Sequence, residues 1–531
     1  MALHRAGAFL DLYGSLRPRI MVSTANALED EPSPAGRTRS LTSGDVTRLT
    51  IFIILTQDAI LLAAGSGPLS LLLLTTMEFG CFHLMRRFGN EDINAAIILS
   101  ICLTHLIIAS FIKIALLQSL DDNLILPTLT EYITLVYFLL LLVAFFAARR
   151  LPLLWSRPHP ELSLKALEWL IIISTALMLV SMVGQRGAET NSSDVSNFWG
   201  VATRGFPMVA MVASVTRALR ISNGQKFLDR WSVAILGFAV ILGTASNSRE
   251  GVLVPLLAAL VVPLYWGYRF SIRTMALVAI LGAFVSFVVS PAILLVRADR
   301  DFLSLTERIS RTVETAGLII TLDPATLQAT QQPLDYINYS IWGRYFGQPV
   351  PFSDRVGLIQ TTDTLAAAAY GGNYVMIEGS LSDQIAALFP NFVLEWFDVH
   401  LERTKAATDF VAGSLGLADT NAKSYLAIPA DAEAYATGGM WSVITTTFFI
   451  YLLVFYLNRL FIGKVSSLGV LPISILLFSH HTCSEAGSGT ILYFALRVLP
   501  QFVISFYFVQ WIARILGSLP TDTTGVPQTP I

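Results

Sequence analysis

The chain has 531 residues, of which 54% are hydrophobic and only 14% are charged, and its formal net charge is −2. In soluble domains about a quarter of all residues are charged, so the composition argues against a water-soluble protein. The near-neutral charge argues against a nucleic-acid-binding protein, which needs a basic surplus. The three cysteines, Cys81, Cys102 and Cys483, lack the spacing of a zinc site or a redox motif, so we expect no metal centre and no structural disulfide.

Residues 1–48 form a polar stretch that contains six arginines and precedes the first apolar run. A secretory signal would place a short apolar stretch near its start, so the sequence predicts a cytoplasmic tail here and no cleaved signal. Residues 516–531 are also polar and contain prolines. They are predicted to form a second cytoplasmic tail.

Twelve apolar runs lie between these tails. A helix needs about 20 apolar residues to cross the hydrocarbon core, because it rises about 1.5 Å per residue through about 30 Å. The runs lie at 49–65, 68–85, 93–117, 130–148, 166–184, 201–218, 231–246, 251–268, 274–296, 440–461, 467–481 and 489–512. The sequence therefore predicts an all-α, polytopic membrane protein with about twelve transmembrane helices. Nine fall in residues 49–296 and three in residues 439–515.

Lysine and arginine occur in every second loop. They lie in the N-terminal tail and at Arg86, Arg87, Arg149, Arg150, Arg157, Lys165, Arg217, Arg220, Lys226, Arg230, Arg269, Arg273, Arg459 and Lys464. Because basic loops stay in the cytoplasm, this alternation predicts that both termini are cytoplasmic.

Residues 297–438 are then predicted to lie on the opposite side, between the ninth and tenth transmembrane helices. The segment is too charged to cross a bilayer and too long to be a simple connection. Phe302, Leu305, Ile309 and Val313 recur at helical spacing, with charged residues between them. We expect an extracytoplasmic helical cap that lies on the membrane face.

Three arginines at the outer face are candidates for binding an anion. Arg249 lies in a short turn beside Glu250, and its planar guanidinium suits a bidentate grip on phosphate. Arg297 and Arg300 are three residues apart and would share one face of a continuing helix. The alternative is that each is an ordinary interfacial arginine, paired with a neighbouring acid or extended toward the headgroups.

Arg186 and Arg204 flank the loop between the fifth and sixth runs. They are further candidates of the same kind, and for them the interfacial interpretation is favoured.

Asp431, Glu433 and Tyr435 directly precede the tenth run and the pair Gly438 and Gly439. Acids at this position favour the positive end of a helix dipole. The dipole explains the carboxylates, although it does not explain the tyrosine or the glycine pair, so a functional role is the second interpretation.

His480 and His481 lie between the eleventh and twelfth runs, close to Cys483 and Glu485. Adjacent residues rarely point the same way on a helix, and the set lacks metal-ligand spacing. The sequence therefore favours a single histidine that acts as a base or a hydrogen-bond partner.

Taken together, these features resemble the bacterial O-antigen and oligosaccharide repeat-unit polymerases, the Wzy-like family. The resemblance covers about residues 160 to 460. It is carried by the dozen spans, the turn around Arg249, the arginines Arg297 and Arg300 before a large outer loop, and the stretch from Glu433 to Gly439.

The resemblance implies an enzyme that transfers a growing glycan from undecaprenyl pyrophosphate to a sugar hydroxyl on the next lipid-linked unit. It would act at the outer face of the bacterial inner membrane without a cofactor or metal, and its partners would include a flippase and a chain-length regulator. Arg249, Arg297 and Arg300 would stabilise the pyrophosphate leaving group, and Glu433, with His480 behind it, would act as the base. Substrate binding is assigned to Arg186, Arg204, Glu250, Tyr435 and His481. Aromatic residues of the large loop are candidates for stacking on sugar rings, namely Tyr336, Tyr339, Trp342, Tyr345, Tyr370, Tyr374 and Trp396.

A transporter or flippase of lipid-linked oligosaccharides is the main alternative, because twelve spans with both ends in the cytosol suit it. Against it, the sequence shows no two related halves, the charges deep in the membrane are few, and the polar residues gather at the outer face. An O-antigen ligase is a second alternative, which differs mainly in its acceptor.

Overall fold

The computed structural model describes residues 43–89, 92–153, 162–188, 203, 205–245, 249–268, 270–297, 303–321, 344–347, 357–374, 388–389, 396, 427–462 and 469–518. Within these residues every regular element is a helix and none is a strand, as predicted. The chain divides into two units, residues 1–52 and 53–531. The described part of the first unit is the beginning of one helix, and all contacts given below belong to the second unit.

The helices are, in chain order, α1 (Ser43–Ala63), α2 (Pro68–Phe88), α3 (Ile93–Ala115), α4 (Pro127–Arg150), α5 (Leu164–Ala188), α6 (Phe206–Ile221), α7 (Arg230–Ala245), α8 (Arg249–Tyr265), α9 (272–297), α10 (Leu305–Thr321), α11 (Ile359–Ala369), α12 (Ala430–Ile462), α13 (Val470–Glu485) and α14 (Ser488–Ser518). A turn of 3₁₀ helix lies at Arg344–Phe346. Turns of π-helix interrupt α3 at Leu103–Ile107, α9 at Val285–Val289 and α14 at Phe494–Val498.

A helix occupies each of the twelve predicted runs, while α10 and α11 belong to the large loop. In the described part of the chain, five helices are long and apolar enough to cross a membrane: α2, α3, α4, α12 and α14. Apolar runs of this length fold as helices because hydrocarbon offers no partner to a free backbone amide or carbonyl. The count of twelve crossings stays a prediction.

The helix α4 shows how these elements pack. Tyr137, Phe138 and Leu141 are buried against neighbouring helices, whereas Leu139 and Val143 on the opposite face are exposed. A helix of a soluble protein would carry polar residues on its exposed face. An apolar exposed face is what contact with lipid requires.

Residues predicted to share the cytoplasmic side meet at one end of the helices. Asp92 caps α3 by accepting a hydrogen bond from the Asn94 backbone amide at 3.1 Å, and it pairs with Arg149 at 3.0 Å. Arg459, near the end of α12, donates to the carbonyl of Ala148. Burial raises the pKa of Asp92, and the amide and the arginine oppose that shift. These contacts bring the ends of α2, α4 and α12 together, and the side of the membrane on which they lie stays a prediction.

Residues predicted to lie on the other side meet as well. Asp121 accepts a hydrogen bond from the Gly67 amide at 2.6 Å, and Tyr345 of the large loop donates to the Leu120 carbonyl at 3.0 Å. The ammonium of Lys113 lies 4.1 Å from the centre of the Tyr345 ring. Burial raises the pKa of the Tyr345 phenol. Because this tyrosine is enclosed, it fixes the loop to the helices and is not open to a sugar ring.

The helix α11 differs from the expected cap on the membrane face. The amides of Gly357 and Leu358 donate to the carbonyl of Thr104 at 2.7 and 3.2 Å, and Thr104 lies in the π-turn near the middle of α3. Such a turn disturbs the regular i to i+4 pattern, which leaves this carbonyl accessible to the loop. The helix α11 packs against α4 and α12, and most of its side chains are buried. This part of the loop is therefore inserted among the helices.

Asp363 attaches α11 to the start of α4. Its carboxylate accepts hydrogen bonds from the amides of Ile125 and Leu126 at 2.6 and 2.8 Å and from the Thr130 hydroxyl at 2.9 Å. These two amides directly precede α4 and have no acceptor within the helix, so a carboxylate far along the chain satisfies them.

We expect Asp363→Asn to destabilise the protein by about 2–3 kcal/mol, because an amide NH₂ would face backbone N–H donors in a buried site. Limited proteolysis of the full-length protein in detergent would show faster cleavage near residue 370. Asp363→Glu, which keeps the charge, is the matched control, and equal protection of Asp363→Asn and the native protein would contradict this anchoring role.

Candidate functional site

The helix α12 bends sharply at Gly438 and Gly439, whose backbone angles are not helical. Gly439 has φ 63° and ψ −156°, a region that is open almost only to glycine. The bend directs residues 430–437 toward the middle of α3 and α4. This short segment carries Asp431, Glu433 and Tyr435, so the glycine pair that the sequence singled out determines where three candidate residues lie.

Asp431 forms a fully buried pair with His105 of α3. The distance from Nε2 to Oδ1 is 3.3 Å, and neither side chain is exposed. The other ring nitrogen, Nδ1, lies 2.9 Å from the carbonyl of Ile101, and the other carboxylate oxygen accepts from the Thr362 hydroxyl at 3.0 Å. A carbonyl can only accept, so Nδ1 carries a proton. A second proton must then lie between Nε2 and Oδ1.

Two tyrosines extend this pair. The ring of Tyr137 stacks on His105 with 5.4 Å between the ring centres, and the Tyr137 and Tyr451 hydroxyls are 2.7 Å apart. Tyr451 donates in turn to the carbonyl of Cys483 at the same distance. The chain of contacts joins α3, α4, α12 and α13 and fixes the depth of residues 430–437.

Glu433 has a different environment from Asp431. Its side chain is 3% exposed, and the oxygen Oε2 has no hydrogen-bond partner among the described residues. The carboxylate accepts one hydrogen bond from the backbone of Ser488 at the start of α14. The Ser488 hydroxyl also lacks a partner within the described part of the chain. We call such an oxygen, which is buried and has no hydrogen-bond partner among the described residues, an open oxygen. An open oxygen lowers the stability of the fold, which is unfavourable for a residue with a purely structural role.

Aromatic residues border the bend. Tyr435 is buried and meets the more exposed Tyr374 edge to face, with 6.5 Å between the ring centres. Tyr370 and Trp396 are exposed. A stacking role for Tyr370, Tyr374 and Trp396 stays a prediction, while Tyr336, Tyr339 and Trp342 lie outside the described residues.

We expect Gly439→Ala to destabilise the protein by about 1–3 kcal/mol, because alanine avoids this backbone region. A methyl group there would also lie 2.7 Å from the Tyr374 hydroxyl. Thermal unfolding in detergent measures the effect. Gly282→Ala in α9 is the control, since its methyl group would meet no atom within 4 Å. Equal melting of the two variants would argue against a strained bend.

The predicted anion site falls largely outside the described side chains. Arg249 and Glu250 begin α8, Arg297 ends α9, and Arg186 lies in α5, but only their backbone is described. Arg204 and Arg300 lie outside the described residues altogether. The grouping of these arginines around a pyrophosphate therefore stays a prediction.

Of the two histidines, His480 is partly buried in α13, and its Nδ1 lies 2.6 Å from the carbonyl of Leu477. His481 follows it, with its side chain outside the described part. Among the described contacts, none joins His480 to Glu433.

Sequence reasoning missed His105 and Arg497. Arg497 lies in the π-turn of α14, is largely buried and donates to the carbonyl of Phe389 in the large loop at 3.2 Å. Both lie inside apolar runs, where an ionisable residue is itself a sign of function. That signal was available in the sequence.

The two acids of residues 430–437 thus have contrasting surroundings: Asp431 is fully paired, and Glu433 keeps one oxygen open. In catalytic sites, two acids in different environments often have different roles, one as the acid and the other as the base.

Comparison with known proteins finds no matching family, no matching curated protein and no matching solved structure.

Proposed function

We propose that this protein is a membrane glycosyltransferase that polymerises undecaprenyl-pyrophosphate-linked oligosaccharide repeat units at the outer face of the bacterial inner membrane. The product would be an O-antigen or an exopolysaccharide. The observation that carries the proposal is the open oxygen of Glu433, held in a buried segment where the large loop meets α12. The sequence resemblance supports the same assignment.

In this mechanism Glu433 takes the proton of a sugar hydroxyl on the incoming lipid-linked unit. The hydroxyl oxygen attacks the anomeric carbon of the growing glycan, and the bond from that carbon to the pyrophosphate breaks. Undecaprenyl pyrophosphate leaves with the electron pair. Arg249, Arg297 and Arg300 are proposed to stabilise its charge. Arg497, which donates to the Phe389 carbonyl in the large loop, is a further candidate for this role. The His105–Asp431 pair positions the segment that carries Glu433.

The proposed topology places both termini and the basic loops in the cytoplasm, with residues 297–438 outside. A flippase would deliver the lipid-linked units, and a chain-length regulator would act on the product. No nucleotide sugar, cofactor or metal enters this reaction.

Deletion of the gene and sizing of the glycan test the proposal. Gel analysis and mass spectrometry would follow the surface glycan and the lipid-linked intermediates, with complementation by the native chain and by Arg249→Ala. Single repeat units with loss of long chains support a polymerase, and failure of Arg249→Ala supports the anion site. Long polymer that never reaches its final acceptor would instead indicate a ligase. An unchanged glycan profile would refute any role in polysaccharide synthesis.

A transporter or flippase of lipid-linked oligosaccharides is the second candidate. Broken helices near the membrane centre are typical of transporters, and α12 bends at its glycine pair while π-turns interrupt α3 and α14. A charged residue also lies deep, since Glu78 is at the centre of α2 and is buried. Repeat units retained on the cytosolic leaflet of the deletion strain would favour this function.

A further inference from the structure

A second cluster of polar side chains lies in α1, α2 and α3. The Gln57 amide donates to Glu78 Oε1 at 2.8 Å and to the Ser110 hydroxyl at 2.7 Å. One turn away on α2, the Thr75 hydroxyl donates to Asp58 at 2.8 Å. Two acids on neighbouring helices are thus held next to each other by an amide and two hydroxyl groups.

Glu78 is the central residue of α2, a helix long and apolar enough to cross the membrane. It is only 7% exposed, and its oxygen Oε2 has no hydrogen-bond partner among the described residues. The amide oxygen of Gln57 also lacks a partner there, on a side chain that is 3% exposed and directed at Glu78. The cluster therefore has open oxygen atoms within a buried site.

No basic side chain neutralises the two acids within the described part of the chain. On α3, the His105 ring faces the Asp431 carboxylate at 3.3 Å, and Lys113 donates to the backbone carbonyl of Asp122 at 2.8 Å. On α4, Glu131 accepts from Ser70, and the Tyr137 hydroxyl faces Tyr451.

An isolated carboxylate is very costly in hydrocarbon, and such a group takes up a proton instead of remaining charged. The amide nitrogen of Gln57, and not its oxygen, faces Glu78. An amide nitrogen donates hydrogen bonds and does not bind a metal cation, so on the Gln57 side the geometry favours a proton over a sodium ion. Asp58 is less buried than Glu78 and provides a route by which the proton exchanges.

We propose that Glu78, with Gln57 and Asp58, forms an intramembrane site that binds and releases one proton. The proton moves from the Asp58 carboxyl to the Glu78 carboxylate, which leaves Asp58 ionised and Glu78 neutral. The site is independent of the proposed glycosyl transfer, and it gives the protein a means of responding to the proton gradient across the membrane.

Infrared difference spectroscopy of the full-length protein in lipid nanodiscs, between acidic and alkaline buffer, tests the site. The native protein should show a band of protonated carboxylic acid that disappears at alkaline pH. Glu78→Gln should lose one component of that band, since Glu433 is a second buried acid, and Glu168→Gln should keep every component, because Glu168 is a half-exposed acid on α5 paired with Arg217 at 2.6 Å. Glu78→Asp keeps a carboxyl in place and should retain a shifted band even if Glu78→Gln proves unstable.

A band that persists unchanged in Glu78→Gln would overturn the proposal, and so would a folded Glu78→Asp protein that lacks a shifted component. Loss of the band on addition of sodium at constant pH would identify a metal-ion site in place of a proton site. None of these results depends on polymer formation, so the proton site and the proposed enzyme can fail separately.

Discussion

Glu433→Gln is expected to abolish glycan polymerisation while the protein still accumulates in the membrane. Glutamine has the size of glutamate and can accept the hydrogen bond from the Ser488 backbone, but it cannot take a proton from a sugar hydroxyl. A general base contributes about 10²–10⁴-fold to the rate, so long chains should be replaced by single repeat units. The measurement is the length distribution of surface glycan in a deletion strain that expresses the variant.

Glu168→Gln is the matched control for this experiment. It makes the same chemical change in an acid of α5 that is half exposed and paired with Arg217, and it should give long chains. Glu433→Asp keeps a carboxylate on a shorter side chain and should retain a fraction of the activity. Normal polymer from Glu433→Gln would show that Glu433 is not the base, and His480 would then be the next candidate.

His105→Ala is expected to cost about 3–5 kcal/mol of stability, because it leaves the buried carboxylate of Asp431 without its partner. Asp431→Asn is expected to cost far less. The asparagine NH₂ can donate to Nε2 of a neutral His105, and its oxygen can still accept from Thr362, so every buried polar atom keeps a partner. The measurement is the thermal unfolding of full-length His105→Ala and Asp431→Asn proteins in the same detergent.

Asp431→Ala completes this comparison, since it removes both hydrogen bonds and should resemble His105→Ala. Equal and small losses in all three variants would mean that the pair does not hold residues 430–437 in place. A large loss in Asp431→Asn would show that the pair requires the charge itself.

Hydropathy was a good guide to the helices because the bilayer leaves an apolar segment little alternative. Even the short turn between the first two runs is present: α1 ends at Ala63 and α2 begins at Pro68, with Gly65 at φ 94°. The insertion of α11 could not be predicted in the same way. It depends on hydrogen bonds from Gly357 and Leu358 to Thr104, and no local pattern records a partner some 250 positions earlier.

The candidate site was predicted only in part. The sequence drew attention to Glu433, Tyr435 and the glycine pair because of their position before an apolar run. It offered the helix dipole as an explanation for Asp431, whereas the structure gives Asp431 a histidine and a threonine as partners. Hydropathy is averaged over a window of residues, so single polar residues such as His105 and Glu78 are not detected within apolar runs. Each of them nevertheless lies at the centre of a polar cluster.

The separation of His105 from Asp431 also constrains biogenesis. The two residues are 326 positions apart, and a ribosome that adds about 5–20 residues per second needs about 16–65 s to pass from one to the other. Throughout that interval α3 has already been made, but the carboxylate that pairs with its imidazole has not. Until α12 arrives, the Nε2 atom of His105 lacks its native partner, so we expect premature release of the chain from the translocon to expose α3 to quality-control proteases.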